Sequence, residues 1–279
     1  MAPLSRSFAI VAVIFLAALA ADGQLLKRVV TKTERIPFGA GGTVTIIGAP
    51  AGSMSIRPAE GNEVIINARI ELQAENESEL ARLSEITGYL TEESLTRIVI
   101  TAVGPHTKGT FKNVPKKLAA KLASLPFSVD FEVFVPRYCD LVLSGGKGDL
   151  RVEGLEGALT ASFIESASVI RVAGGTVNVT VGKGSVDVAL GTRGWRPRTA
   201  DVSVSQGEII ARLPSNFSAE LDAVILRNGA ISNSIEKLTP RDRKATQTER
   251  LMQMKAGVGG PRVKFTVGDG NIRLLPLEM

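Results

Sequence analysis

With 44% hydrophobic residues but only 5% aromatic ones and 28 glycines in 279 residues, the chain has the material for a core of many thin aliphatic layers, at a length that solenoids and barrels reach as one unit. Its 33 basic and 28 acidic residues, net charge +5, are interspersed along the chain, and its basic clusters lack the interleaved aromatics of a base-stacking surface, so nucleic acid is not an expected partner. A single cysteine and a single histidine exclude an internal disulfide and the usual zinc ligand sets.

The N-terminus reads as a secretory signal peptide over residues 1–21. Arg6 supplies the positive flank, Phe8 to Ala21 is unbroken apolar sequence, and Ala18-Leu19-Ala20 fits a small-x-small cleavage rule. A bilayer span needs about 20 apolar residues, so cleavage near Ala20 or Ala21 is the expectation and retention by an uncleaved segment the alternative. No later run is long and apolar enough to cross a membrane. The expected location is therefore the periplasm, the cell surface or the exterior.

Past this leader the chain reads as one domain over residues 27–279. The turn cluster Gly39-Ala40-Gly41-Gly42 precedes short apolar bursts at Val44 and Ile46, Met54 and Ile56, and Val64 and Ile66, which begin ten residues apart. Alternation with period two puts such residues on one face of a strand. The rhythm breaks after Leu72. Asn76 is placed to cap a helix with Glu79 three residues on; Leu80, Leu83, Thr87 and Leu90 mark its apolar face, within a helical excursion over about 76–90 ended by Gly88. Strand alternation resumes at Ile98 and Ile100. A second excursion, over about 114–125, opens on Pro115 and stops at Pro126, with Leu118, Leu122 and Leu125 as its stripe and several lysines opposite; it is read as a cap over open strand edges.

From Phe127 the strands return, through Val129, Phe131, Val133 and Val135. Between Cys139 and Leu190 the pattern is most regular: bursts at Leu141, Leu150 and Leu159 start nine residues apart, as do those at Val177 and Val186, with glycine corners between them. Recurring strand and turn at fixed spacing predicts stacked β rungs, each burying its inner face against its neighbours. Residues 191–198 interrupt the pattern with the only tryptophan and three arginines, and Arg193, Trp195, Arg196 and Arg198 are the candidate surface contact for a sugar or an acidic partner. Strands resume at Val202, Ile209 and Leu221. Residues 236–258 lack strand periodicity and read as a mobile loop with a short helix near Thr248 to Met254; Val263 to Leu274 then repeats the strand grammar.

These features resemble the putative-adhesin family of exported bacterial proteins, also described as a domain of unknown function. The resemblance rests on Val133 to Asp149, on Gly174 to Val188, on Ser205 to Leu221 and on the closing Val-Gly-Asp-Gly-Asn-Ile-Arg-Leu. It implies an all-β fold, a right-handed parallel β-helix-like solenoid with one or two short amphipathic helices as insertions or caps, and it carries no established catalytic residues. An antiparallel sandwich is the architectural alternative, because glycine corners also suit hairpins.

No catalytic, metal or cofactor site is expected. Gly145-Gly146-Lys147-Gly148-Asp149 falls one residue short of a calcium-binding nonapeptide and carries a lysine in the loop, and Gly182-Lys183-Gly184-Ser185 lacks phosphate-loop spacing. Cys139 reads as a core residue. The expected function is non-enzymatic: a repetitive surface presented at the cell envelope to an extracellular ligand, polysaccharide or protein. One alternative is a carbohydrate-active enzyme using two of Asp140, Asp149, Glu153 and Asp187 across a cleft; the other is a self-assembling envelope scaffold.

Overall fold

The computed structural model describes residues 10–14, 25–112, 114–191, 199–214, 216–236, 238–242 and 247–277. Among them 18 strands join in one mixed sheet, accompanied by two helices. In chain order, β1 (Ile10–Ile14) and β2 (Leu26–Pro37) precede two short strands, β3 (Thr43–Ile47) and β4 (Met54–Pro58), and the longer β5 (Glu63–Ala74). Then come α1 (Glu77–Ile86), β6 (Gly88–Glu93), β7 (Arg97–Val103), α2 (Lys116–Ser124), β8 (Phe127–Val135), β9 (Asp140–Lys147) and β10 (Leu150–Leu155). Three long strands follow, β11 (Leu159–Val172), β12 (Val177–Leu190) and β13 (Thr199–Leu213). The chain ends through β14 (Ala219–Asn228), β15 (Ile231–Asn233), β16 (Leu238–Pro240), β17 (Leu251–Ala256) and β18 (Arg262–Pro276).

The centre of the molecule is a parallel, in-register stack. Strands β11, β12, β13 and β18 each hold two apolar bursts joined across a bend. Leu159, Val177, Ala200 and Val263 lie side by side before it, and Ser168, Val186, Ile209 and Ile272 after it. Paired shorter strands continue the stack: β9 and β10 beside β11, then β3 and β4, then β7 and β8. At the opposite end β14 and β15 lie parallel to β18. The nine-residue rhythm is thus half a rung. The bend divides this one sheet into two halves, a first sheet of residues before it and a second of residues after it, and the aliphatic residues of both face inward: Val177, Val181, Val186 and Val188 are fully buried, as are Val263, Phe265, Ile272 and Leu274. Burying each such side chain contributes about 1.5–3 kcal/mol.

Stacking order differs from chain order. The pair β3–β4 is the first rung in sequence, yet it sits between β7–β8 and β9–β10. The last strand, β18, slots between β13 and β14–β15 instead of closing the end. Antiparallel strands cover the flanks: β6 on β7, β5 and then β2 on β8, and β17 with β16 on β14. The architecture therefore combines the parallel rungs of the expectation with the antiparallel pairing of its alternative.

Both helices form where capping and apolar spacing place them. Asn76 Oδ1 accepts the Glu79 N–H at 3.0 Å, and Leu80 and Leu83 bury their side chains. Lys121 of α2 bridges Glu75 and Glu79 at 2.8 and 2.5 Å, and this ammonium holds the Glu79 carboxyl below its usual range. Leu90 departs from the helical expectation, since the chain turns to strand at Gly88 and leaves it exposed on β6. The helix expected near Thr248 to Met254 is also replaced. Leu251–Ala256 is strand β17, because pairing with β14 satisfies its backbone while Met254 and Ala256 turn inward.

One column of residues sets the bend. Gly52, Gly148, Gly184, Gly207, Gly229 and Gly270 all have φ between +131° and +151°, a region open only to glycine without strain. Each also abuts a neighbouring rung: a Cβ on Gly207 would lie 1.7 Å from the Gly184 carbonyl oxygen, and one on Gly270 1.7 Å from that of Gly207. In β11 the column passes through Ser166, whose Oγ hydrogen-bonds the buried Ser168 hydroxyl at 3.0 Å. Gly207→Ala is expected to destabilise the protein by roughly 3 kcal/mol or more, whereas Gly61→Ala, with nothing within 4 Å of its Cβ position, should stay within about 0.5 kcal/mol. Urea unfolding of the two variants checks the contrast.

Candidate functional site

A groove of about 520 Å³ lies on the outer face of the second sheet, crossing β5, β8, β4 and β10. Strand alternation that buries Ala68, Phe131, Met54 and Leu150 turns their neighbours outward. Register then places Asn67 beside Glu132, Glu132 beside Ser55, and Ser55 beside Arg151, with Arg69 beside Asp130 in the adjacent row.

Charges of both signs alternate in this groove. Arg57 lies 3.5 Å from Glu132 and 3.9 Å from Glu153, and Arg151 pairs with Glu153 at 2.9 Å. Asp130 accepts the Ser53 N–H at 2.8 Å and faces Arg69 at 3.6 Å. Asn67 donates to Glu132 at 3.4 Å while accepting from the Thr33 hydroxyl at 3.0 Å. At the groove floor the shielded Ser55 hydroxyl has no hydrogen-bond partner among the described residues. Arg57, Arg69 and Arg151 are each about half exposed. Exposed pairs of this kind contribute about 0–1 kcal/mol each, so a ligand's polar groups can exchange with them at small cost.

The four carboxylates singled out in the sequence do not converge. Asp140 accepts the Ala158 N–H at 2.7 Å and so fixes a turn between rungs. Asp149 lines the groove, and Glu153 is paired beside it as described. Asp187 lies further along the same face, held by Arg171 at 2.9 Å and Arg212 at 3.1 Å. Burial acts to raise the Asp187 pKa, but hydrogen bonds from the two arginines outweigh it and hold the carboxyl below the usual range.

Cys139 is fully buried, as a core residue should be, and burial together with the Asp140 charge pushes its thiol pKa up to about 12, which suppresses the nucleophilic thiolate. His106 stacks on Phe127 at 5.6 Å. The surface contact expected at Arg193, Trp195, Arg196 and Arg198 lies outside the described residues. The groove residues Ser55, Arg57, Asn67, Arg69, Asp130 and Glu132 carry no motif, and their only sequence signal is a polar residue at every second position of an otherwise apolar strand.

No protein-family model and no curated protein matches the chain. Solved structures do. A "putative cell adhesion protein" from Clostridium sporogenes aligns over 88% of this chain and all of its own at 15% identity and a TM-score of 0.48. A "putative adhesin" from Bacteroides fragilis covers 88% of this chain and 97% of its own, at 8% identity and a TM-score of 0.27. One from Parabacteroides distasonis has the same coverage and identity, with a TM-score of 0.31.

The arginine clamp on Asp187 gives a pH signature. A depressed carboxyl pKa contributes stability that is present above the unfolded value of 3.8 and is lost as pH falls through the lower folded value. Asp187→Asn is expected to cost about 1–3 kcal/mol near neutrality. Denaturation across pH 2–7 should show that deficit shrinking below about pH 3.8; a constant deficit contradicts the clamp.

Proposed function

We propose that this is an exported, non-enzymatic binding protein of the cell envelope, in which a parallel β-helix-like stack of right-handed rungs presents its outer faces to a polar extracellular ligand, polysaccharide or protein. The right-handed winding follows the near-universal hand of parallel crossovers. Residues 1–21 act as the export signal, residues 27–279 form one domain, and the mature chain works in the periplasm or at the cell surface without a cofactor. The observation that carries this reading is the pairing in the groove. Asp130, Glu132 and Glu153 each already meet an arginine or an N–H donor, an arrangement suited to recognising polar groups by exchange of charge-assisted hydrogen bonds.

The groove is the contact site, with Arg57 and Arg151 as donors and Asn67 completing the hydrogen-bonding set. Binding is expected to weaken with ionic strength because the pairs are solvent-exposed. On an array of charged glycans and peptides, the protein lacking residues 1–21 should give ligands whose affinity falls at least tenfold in Arg57→Glu/Arg151→Glu. A parallel hydrolase and lyase screen should show no turnover. Turnover abolished by Asp149→Ala would overturn the non-enzymatic reading, and concentration-dependent growth in light scattering would favour a self-assembling scaffold.

A further inference from the structure

The protein's net charge is carried by one excursion. From Ser94 to Val129 the chain contains no Asp or Glu and six cations, Arg97, Lys108, Lys112, Lys116, Lys117 and Lys121. That exceeds the net charge of +5 for the whole protein, so the remainder is close to neutral. The stretch holds β7, the loop after it, α2 and the start of β8. Lys108, Lys112, Lys116 and Lys117 are exposed, and among the described residues none of the four forms a salt bridge. Lys121 differs, because Glu75 and Glu79 engage it. Neighbouring carboxylates are occupied as well, Glu77 by Arg28 at 2.7 Å and Asp130 by Arg69 at 3.6 Å.

The fold holds these lysines in place without using their charge. The Thr110 hydroxyl lies 3.1 and 2.9 Å from the Gly104 and Thr107 carbonyl oxygens, and the Thr107 hydroxyl accepts the Gly104 N–H at 2.9 Å, which winds the loop tightly. A Cβ at Gly109 would lie 3.3 Å from Lys112 Cε, so the Lys112 stem folds back beside Lys108. Leu122 of α2 and Leu125 after it are buried, which turns the lysine-bearing face outward. Lys116 and Lys117 occupy the first turn of α2, where the helix dipole disfavours cations, so helix stability does not account for them. In the groove the protein meets carboxylates with arginine, whose planar fork suits them, whereas lysine is a point charge that suits phosphate without fixed geometry. A long polyanion would run off the cluster onto strand faces where Glu and Asp alternate with Arg; a charged plane can meet the cluster alone. Four or more basic residues on and beside an amphipathic helix fit an anionic membrane, and with the apolar stripe turned inward the contact is electrostatic, without insertion. We propose that Lys108, Lys112, Lys116 and Lys117 dock the protein on the phosphate headgroups of an anionic lipid bilayer. This attachment goes beyond the groove and leaves the groove free for its own ligand.

The test sediments residues 22–279, the form left after loss of the proposed export signal, with vesicles of mixed phosphatidylglycerol and phosphatidylcholine and with vesicles of phosphatidylcholine alone. Only the mixed vesicles should take up the protein, and added salt should release it, because exposed charges are screened. A lysine near an anionic surface contributes about fivefold in affinity, so Lys112→Gln/Lys116→Gln should weaken binding about 30-fold. The melting temperature should stay within a few degrees, since both side chains are exposed. Arg57→Gln/Arg151→Gln removes the same charge from the groove and should change vesicle binding by less than about twofold, which separates this surface from the groove. Uptake by neither vesicle, equal uptake by both, an equal loss in the two variants, or tighter binding to soluble polygalacturonate than to the mixed vesicles would overturn the proposal; the last would assign the lysines to an anionic polymer.

Discussion

Close approach of backbone to backbone at the bend is the constraint on which the rest of this molecule depends. Every rung must turn from the first sheet to the second at the same height, and it turns at a residue whose Cα lies against the carbonyl of the next rung. At Gly207, Gly229 and Gly270 the gaps leave no room for a side chain, since a Cβ there would lie 1.7 Å from a carbonyl oxygen, and Ser166 of β11 is the non-glycine member of the column. Because the bends superimpose, aliphatic residues on both sides of them superimpose too, and the core becomes a set of columns from Leu141 to Val263 and from Met54 to Ile272. A rung bending one residue early would turn its inward set to solvent, since strand side chains alternate with period two.

Such columns do not require neighbours in space to be neighbours in sequence. Any segment with the glycine two positions before an aliphatic burst can occupy any level, which is how β3–β4 enters beneath β9–β10 and how β18 enters beside β13. The cost lies in loop closure, which grows only slowly with loop length. What the stack cannot supply is a closed end. Parallel rungs leave unpaired edges, and the antiparallel strands β5, β6 and β17 occupy them. Over β5 the ion-paired helices α1 and α2 add a further layer, joined through Lys121.

This division explains what could be read from sequence. Gly184-Ser185-Val186, Gly207-Glu208-Ile209 and Gly270-Asn271-Ile272 announce both the bend and the strand after it, and the helix cap at Asn76 is local chemistry. Level in the stack was not legible, because Val44, Leu141 and Val263 carry equivalent signals. The strand at Leu251–Ala256 was hidden for a different reason: its partner β14 lies about 30 residues earlier, and long-range pairing overrides weak local preference. The groove combines both obstacles. Its residues come from four separated segments, two of them antiparallel, so Asn67, Glu132, Ser55 and Arg151 meet only once every register is known.

The two outer faces share strand spacing and differ in how densely they carry charge. A stack of strands needs its outward positions only to be soluble, a demand that scattered charges meet on any face. Charge is denser on the second sheet, where Arg57, Arg151, Arg171 and Arg212 alternate with Glu132, Glu153 and Asp187; on the first, the outward rows through Val142 and Ser144 carry none, while Arg97 and Asp140 stand in the row before them. Core packing does not produce that asymmetry, because the inward residues of the two sheets are alike. Folding places little demand on whether Thr160 or Arg151 points outward, because surface substitutions away from special features usually change stability by about 0.5 kcal/mol or less. A backbone that repeats every rung therefore spaces side chains evenly on both sides, and the residues set on it decide how charge is distributed there.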